Sequence, residues 1–159
     1  MPILNTLSER QQKMLREWPC PENQDFPWST MRKPLSESKV SMVTTGGLHV
    51  RGDDPFRTSA GADASFRTIP RKTPSDNIVQ SHFSISFDRT SIYRDLNVTY
   101  PVDRLNELVN MGKIGTLSQN YYSFMGAIRD VSALIETSGP LVAEKLKSEN
   151  VDIVLLTPT

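Results

Sequence analysis

The chain is 159 residues long, with 37% hydrophobic and 23% charged side chains and 18 basic residues balanced by 18 acidic ones, the make-up of one folded soluble domain rather than a disordered segment. A net charge of zero gives no positive field to collect phosphates, so nucleic acid is not an expected partner. Cys20 is the only cysteine, which excludes an internal disulfide, and one thiol with two histidines falls short of a structural zinc site, so no metal is expected.

Residues 1–18 interleave Glu9, Arg10, Lys13, Arg16 and Glu17 with their apolar positions, so no secretory h-region is present. No later stretch has the length to span a bilayer, and the expected location is the cytoplasm. Leu7, Met14, Leu15 and Trp18 fall at the spacing of a short amphipathic helix. From Cys20 to Pro34 the prolines at 21, 27 and 34 favour extended chain that lays Phe26 and Trp28 over a core edge. Residues 1–34 are thus expected as an arm ahead of a domain spanning 35–159. Cys20, with no helix N-terminus or flanking cation to lower its pKa, is not expected to be a nucleophile.

Lys39 to Thr44 (KVSMVT) is a short apolar run closed by Thr45-Gly46-Gly47, the pattern of a buried strand entering a loop. Ser65 to Ile69 and Asn77 to Phe83 alternate or carry β-branched pairs and read as strands, as does Asn97 to Tyr100. Pro101 opens a helix through Val109 that Gly112 stops, and a second helix is expected over Val131 to Ser148, interrupted or kinked at Gly139-Pro140. Val151 to Thr159 closes with a near-continuous apolar run, which predicts a strand at the centre of the sheet. The strand-loop start and helix-strand end together predict an α/β fold, a mostly parallel sheet flanked by helices in a single domain.

Ligands bind such sheets at the loops leaving the C-terminal strand ends, an edge that here gathers Thr44 to Arg51, His82 and Thr157 to Thr159. Gly46-Gly47 either brings backbone N–H groups to an anion, with His49 and Arg51 close behind, or is simply a turn. Arg67 either grips a carboxylate by two parallel hydrogen bonds or pairs with Asp53, Asp54 or Asp63. His82, following Ser81, is either an acid/base group or a histidine satisfied by a carbonyl at a strand end. No G-x-S-x-G, P-loop or G-x-G-x-x-G is present, so the standard hydrolase, nucleotide and dinucleotide signatures are missing and no cofactor is expected.

Four segments in order carry more information: Lys33-Pro34-Leu35-Ser36-Glu37-Ser38-Lys39-Val40 running into Val43-Thr44-Thr45-Gly46-Gly47-Leu48-His49; Asp63-Ala64-Ser65-Phe66-Arg67-Thr68-Ile69-Pro70; Ile78-Val79-Gln80-Ser81-His82; and Gly115 through Tyr122-Ser123-Phe124-Met125-Gly126. Together they resemble the selenoprotein B family of glycine, sarcosine and betaine reductases, including its short stand-alone members and its D-proline reductase relatives.

The resemblance implies reductive cleavage of a small amine or related substrate, with electrons from a thioredoxin-like donor. It also implies that a strand like 152–159 leads directly into a redox selenocysteine or cysteine, so that this domain lacks its C-terminal continuation and is redox-inactive as it stands; a UGA codon after Thr159 is the expected cause, with a fragment or a degenerate paralogue without the nucleophile as the alternatives. Thr45, Gly46, Gly47, Arg67 and Ser81 are the implied substrate-binding positions, with His82 and Arg67 as catalytic candidates. Where family members carry further histidine and aspartate after the Ser-His pair, this chain has Phe83-Ser84-Ile85-Ser86-Phe87-Asp88. The alternatives are a non-catalytic small-molecule binding or subunit-interaction domain of the same fold, or an acid/base enzyme built on His82. An uncovered edge beside the last strand leaves assembly into a homo-oligomer open.

Overall fold

A computed structural model describes residues 4–18, 22, 29–57, 63–82, 89–128 and 130–159. The chain divides into two compact units, Met1–Thr30 and Met31–Thr159. In the first, helix α1 (Glu9–Arg16) begins at a reciprocal cap, in which Ser8 Oγ accepts from the Gln11 amide and the Gln11 side chain accepts from the Ser8 amide. Met14 and Leu15 on this helix stay half exposed. Cys20, Phe26 and Trp28 lie outside the described residues.

The second unit is built on strand β1 (Lys39–Thr44), whose limits are those read from the sequence. The two-stranded ribbon of β2 (Leu48–Val50) and β4 (Ile78–Gln80) is antiparallel, and β3 (Phe66–Pro70), between them in the chain, joins the main sheet. After helices α2 (Arg89–Arg94) and α3 (Val102–Asn110) come β5 (Thr116–Leu117) and β6 (Asn120–Phe124), then α4 (Gly139–Ser148) and β7 (Ile153–Thr157). β1 runs parallel to β5, β6 and β7, and β3 runs antiparallel to β6, so the sheet is mixed but mostly parallel.

Alternation along β1 and β6 sends side chains to two cores. Val40 and Met42 of β1, Tyr121 of β6, Ile69 and Leu117 pack with Leu48, Tyr100, Leu105 and Ile114. On the other face Tyr122 and Phe124 meet Val142 of α4, with Val43, Phe66, Leu134 and Leu146 around them. Covered on both sides, these strands read as continuous apolar runs.

β5 and β6 are one strand interrupted: the register against β1 advances by two residues between Val40↔Leu117 and Val43↔Tyr122. The buried hydroxyls of Ser41 and Ser118 both donate to the Asn120 carbonyl, at 3.0 and 2.7 Å, which satisfies the backbone at the break.

Three sequence expectations change. The closing strand was expected at the centre of the sheet; among the described residues β7 pairs only with β1, and Leu156 is 67% exposed. An apolar run demands packing on two faces but does not specify strand order. Asn97 to Tyr100 is not a strand, because Leu96–Val98 forms a 3₁₀ turn capped by Asp95, whose carboxylate takes the Asn97 amide at 2.9 Å. The helix expected over Val131 to Ser148 contains a π turn at Leu134–Ser138 just before Gly139-Pro140, where the Gly139 amide reaches back to the Leu134 carbonyl. β2, β5 and β6 were not anticipated, although β6 is the strand that joins β3 to β1.

Glu149, at the end of α4, ties that helix to the β5–β6 break by accepting from the Gln119 amide at 2.9 Å and from Asn120 Nδ2 at 2.7 Å. Glu149→Ala leaves both donors without this partner and is expected to lower stability by about 1–3 kcal/mol, measured as a reduced denaturant midpoint at unchanged slope.

Candidate functional site

Parallel pairing of β1 and β7 delivers both strand ends to one place. The Thr45 amide donates to the Thr157 carbonyl at 3.2 Å, and the Thr159 amide donates to Thr45 Oγ1 at 2.8 Å. Thr44 Oγ1 and Thr157 Oγ1 both donate to the Thr99 carbonyl, at 3.1 and 3.0 Å, while Thr44 Oγ1 accepts from the Gly46 amide. Hydroxyls therefore close the mouth of the ladder where strand hydrogen bonding ends.

The Gly46-Gly47 step then crosses to β6. Gly46 bridges Met125, and the Gly47 amide donates to the Phe124 carbonyl at 2.9 Å. Gly47 has φ +63, a conformation costly for any residue with a side chain, and a Cβ there would stand 3.0 Å from the His82 amide nitrogen. Two constraints thus select glycine: backbone hand and the close approach of His82.

His82 is 3% exposed. The point that a Cβ on Gly126 would occupy is 2.7 Å from His82 Nε2, 3.1 Å from the Thr45 carbonyl oxygen and 3.2 Å from the Thr159 carbonyl oxygen. An imidazole nitrogen and two carbonyls therefore converge over a residue without a side chain. Burial, followed by the charge of Arg89, pushes the His82 pKa below its ordinary value, so the ring is neutral at neutral pH and able to take or give a proton.

The other sequence candidates lie differently. Ser81 donates its amide to the Gly47 carbonyl at 2.8 Å, and its hydroxyl lies 2.7 Å from His49 Nε2. His49 is turned into the fold, and Arg51 donates to the Asp76 carbonyl, so neither flanks Gly46-Gly47 as an anion-binding pair. The Arg67 guanidinium donates to the carbonyls of Asp54, Pro55 and Phe66 and to Ser65 Oγ, at 2.7 to 3.0 Å.

That guanidinium also stacks over Phe56 at 4.4 Å and lies 3.9 Å from Asp63. Most of its donors are committed within the fold, and the open cavity of about 550 Å³ beside it is lined also by Gly52, Asp53 and Asp54, whose charges repel a carboxylate. Burial opposes ionisation of Asp63, but hydrogen bonds from the Ser65 hydroxyl and the Arg57 and Ser65 amides outweigh it and hold the carboxyl below its usual range. Arg67 and Asp63 thus latch residues 54–57 to β3.

Sequence reading placed Thr159 on this edge but passed over Gly126 and Thr99 as site residues. A glycine one residue beyond the aromatic run Tyr121-Tyr122-Ser123-Phe124, after Met125, was the available signal for Gly126, since a glycine at a strand end often marks a close approach. Among the described residues no group of three or more His, Cys, Asp or Glu is placed to hold a metal ion, and no helix is long and apolar enough to cross a membrane.

Two outcomes follow from this geometry. Because His82 binds its proton less readily when folded, the unfolded chain takes up protons first as pH falls below about 6.5, and stability declines there. Denaturation midpoints for His82→Asn are expected to lack that part of the decline. In Gly126→Ala the new methyl must displace the His82 ring, and the expected signature is a shifted His82 imidazole resonance with about 1–3 kcal/mol lost in stability.

Comparison with known proteins adds independent information. The sequence pattern described as glycine/sarcosine/betaine reductase selenoprotein B matches residues 3–159. The chain is 34% identical over 130 residues to the D-proline reductase subunit gamma of Acetoanaerobium sticklandii, covering 82% of this chain and 52% of that protein. It is 30% identical over 147 residues to the glycine reductase complex component B subunit gamma of Carboxydothermus hydrogenoformans, covering 90% of this chain and 33% of that one. The sarcosine reductase complex component B subunit beta of Peptoclostridium acidaminophilum is 28% identical over 151 residues, 93% of this chain and 34% of the relative. The chain thus spans about half the length of the first relative and about a third of the others. No solved structure matches it.

Proposed function

Since this chain belongs to the glycine/sarcosine/betaine reductase selenoprotein B family, we propose that it forms the domain of a cytoplasmic reductase that cleaves a small amine or related substrate with electrons from a thioredoxin-like donor, and that it works as a subunit of a multi-component assembly. The redox selenocysteine or cysteine directly follows Thr159 in this reading. One observation carries it: the Thr159 carbonyl lies with His82 Nε2 and the Thr45 carbonyl around a single point at the C-terminal ends of β1 and β7.

A residue one peptide beyond Thr159 starts beside that point. Neutral His82 is placed to accept the proton of a selenol or thiol there, leaving the anion as nucleophile. The anion attacks the substrate carbon, a chalcogen–carbon bond forms, and the carbon–nitrogen bond breaks with its electron pair leaving on the amine, which takes a proton. One thiolate of the donor then attacks the chalcogen, the chalcogen–carbon bond breaks with its electron pair on carbon, which takes a proton, and the second thiol displaces the chalcogenide, leaving the donor oxidised to a disulfide. Thr45, Gly46 and Gly47 line the approach, with backbone rather than charged side chains facing the substrate.

The test is the frame beyond Thr159, expressed with its selenocysteine or as the cysteine variant, and treated with an alkylating agent at neutral pH and at about pH 6. Alkylation mapped to the residue after Thr159, slowed about tenfold or more in His82→Ala, is the expected result. A frame encoding neither selenocysteine nor cysteine at that position, or alkylation indifferent to His82, overturns the reading.

A further inference from the structure

His49 and His82 are the two histidines of the chain, and Ser81 connects them. His49 lies opposite Val79 in the β2–β4 ribbon and is 5% exposed. Its Nδ1 is 3.0 Å from the Val50 carbonyl and its Nε2 is 2.7 Å from Ser81 Oγ. A carbonyl only accepts, so Nδ1 carries the ring proton; in the neutral ring Nε2 is then the acceptor, and the Ser81 hydroxyl donates to it. Both nitrogens of His49 are engaged inside the fold.

Ser81 is held twice, by that hydroxyl and by its amide, which donates to the Gly47 carbonyl at 2.8 Å. The next residue is His82, whose amide nitrogen, Cα and Cβ lie 3.0 to 3.2 Å from the point where a Gly47 side chain would begin. The backbone carrying the His82 ring is therefore fixed from one side by Gly47 and from the other by the Ser81–His49 hydrogen bond. Small rotations at Ser81 would swing the ring away from Gly126.

A serine hydroxyl donating to a histidine oriented by a carbonyl also resembles a nucleophilic pair. A nucleophile of that kind needs amide donors aimed at the developing oxyanion, and the nearby amides of Gly47 and Ser81 are already bonded to the Phe124 and Gly47 carbonyls. Orientation is the role the geometry supports. We infer that His49 is a positioning residue for His82: acting through the Ser81 hydroxyl, it holds the Ser81–His82 peptide so that His82 Nε2 faces Gly126 and the Thr159 carbonyl. The inference rests on reading His82 as the proton-transfer group of the site.

The test compares Ser81→Ala, Ser81→Thr and His49→Gln, with His82→Asn to assign the rings. In the 159-residue chain, imidazole ¹⁵N spectra are expected to show His49 protonated at Nδ1 and a His82 signal that moves in Ser81→Ala and His49→Gln and returns in Ser81→Thr, which keeps the hydroxyl, while the amide spectrum of the β1 sheet is retained. In the chain extended past Thr159, the same two variants are expected to lower kcat about 10–100-fold at unchanged KM, with recovery in Ser81→Thr.

A His82 signal and kcat that stay in place in Ser81→Ala overturn the inference, as does a His49 protonated at Nε2. Failure of the site reading itself has a different mark, turnover that survives His82→Asn. Should His49→Gln unfold, Ser81→Ala carries the decision alone, since it removes only the hydroxyl.

Discussion

Strand β1 is hydrogen-bonded along both edges, to β5 and β6 on one side and to β7 on the other, and is covered on both faces. A strand held in this way has no freedom to slip, because a one-residue shift would exchange Met42 and Val43 between the two cores. Its last residue, Thr44, therefore sits at a fixed height, and so do the Thr45-Gly46-Gly47 exit and the end of β7, which is in register with β1 over five residues. The Thr45 and Thr159 carbonyls at the candidate site take their positions from that ladder.

The site is made mostly of backbone. Carbonyls of Thr45 and Thr159, the glycines at 46, 47 and 126, and one neutral imidazole meet where strand hydrogen bonding gives way to hydroxyl caps. Such a surface presents backbone carbonyls and one imidazole, with the Arg89 charge acting on that ring. Arg67, the side chain with the best prior claim on a carboxylate, is instead a structural clamp, gathering three backbone carbonyls and the Phe56 ring. Its loss would loosen residues 54–57 before it altered the site.

Polar groups in the interior divide into those that stabilise the sheet and those that shape the site. Ser41, Ser118 and Glu149 satisfy the break between β5 and β6. Thr44, Thr157, Ser81 and His49 act at the other end of the strands, where each hydrogen bond sets the direction of a residue that reaches the site. The protein thus separates the constraint that makes the sheet from the constraint that aims His82, though both use hydroxyl and carbonyl groups.

The sequence by itself determined the elements whose signals are local. Lys39 to Thr44 is a strand because a short run carrying Val40, Met42 and Val43 ends near two glycines, α3 follows from a proline start and a glycine stop, and the ordered segments from Lys33 to Gly126 carried the family. Only the tertiary structure decided that β7 lies beside β1 at a described edge, that the Tyr121-Tyr122-Ser123-Phe124 run is the strand joining β3 to β1, and that Asn97 belongs to a turn. It alone set Arg67 on carbonyls 12 and 13 residues earlier, Ser81 on a histidine 32 residues earlier, and Gly126 beneath His82. The reason is physical: propensity, capping and periodicity act over a few residues, whereas strand order and the choice of hydrogen-bond partner are settled by which distant surfaces can be buried together.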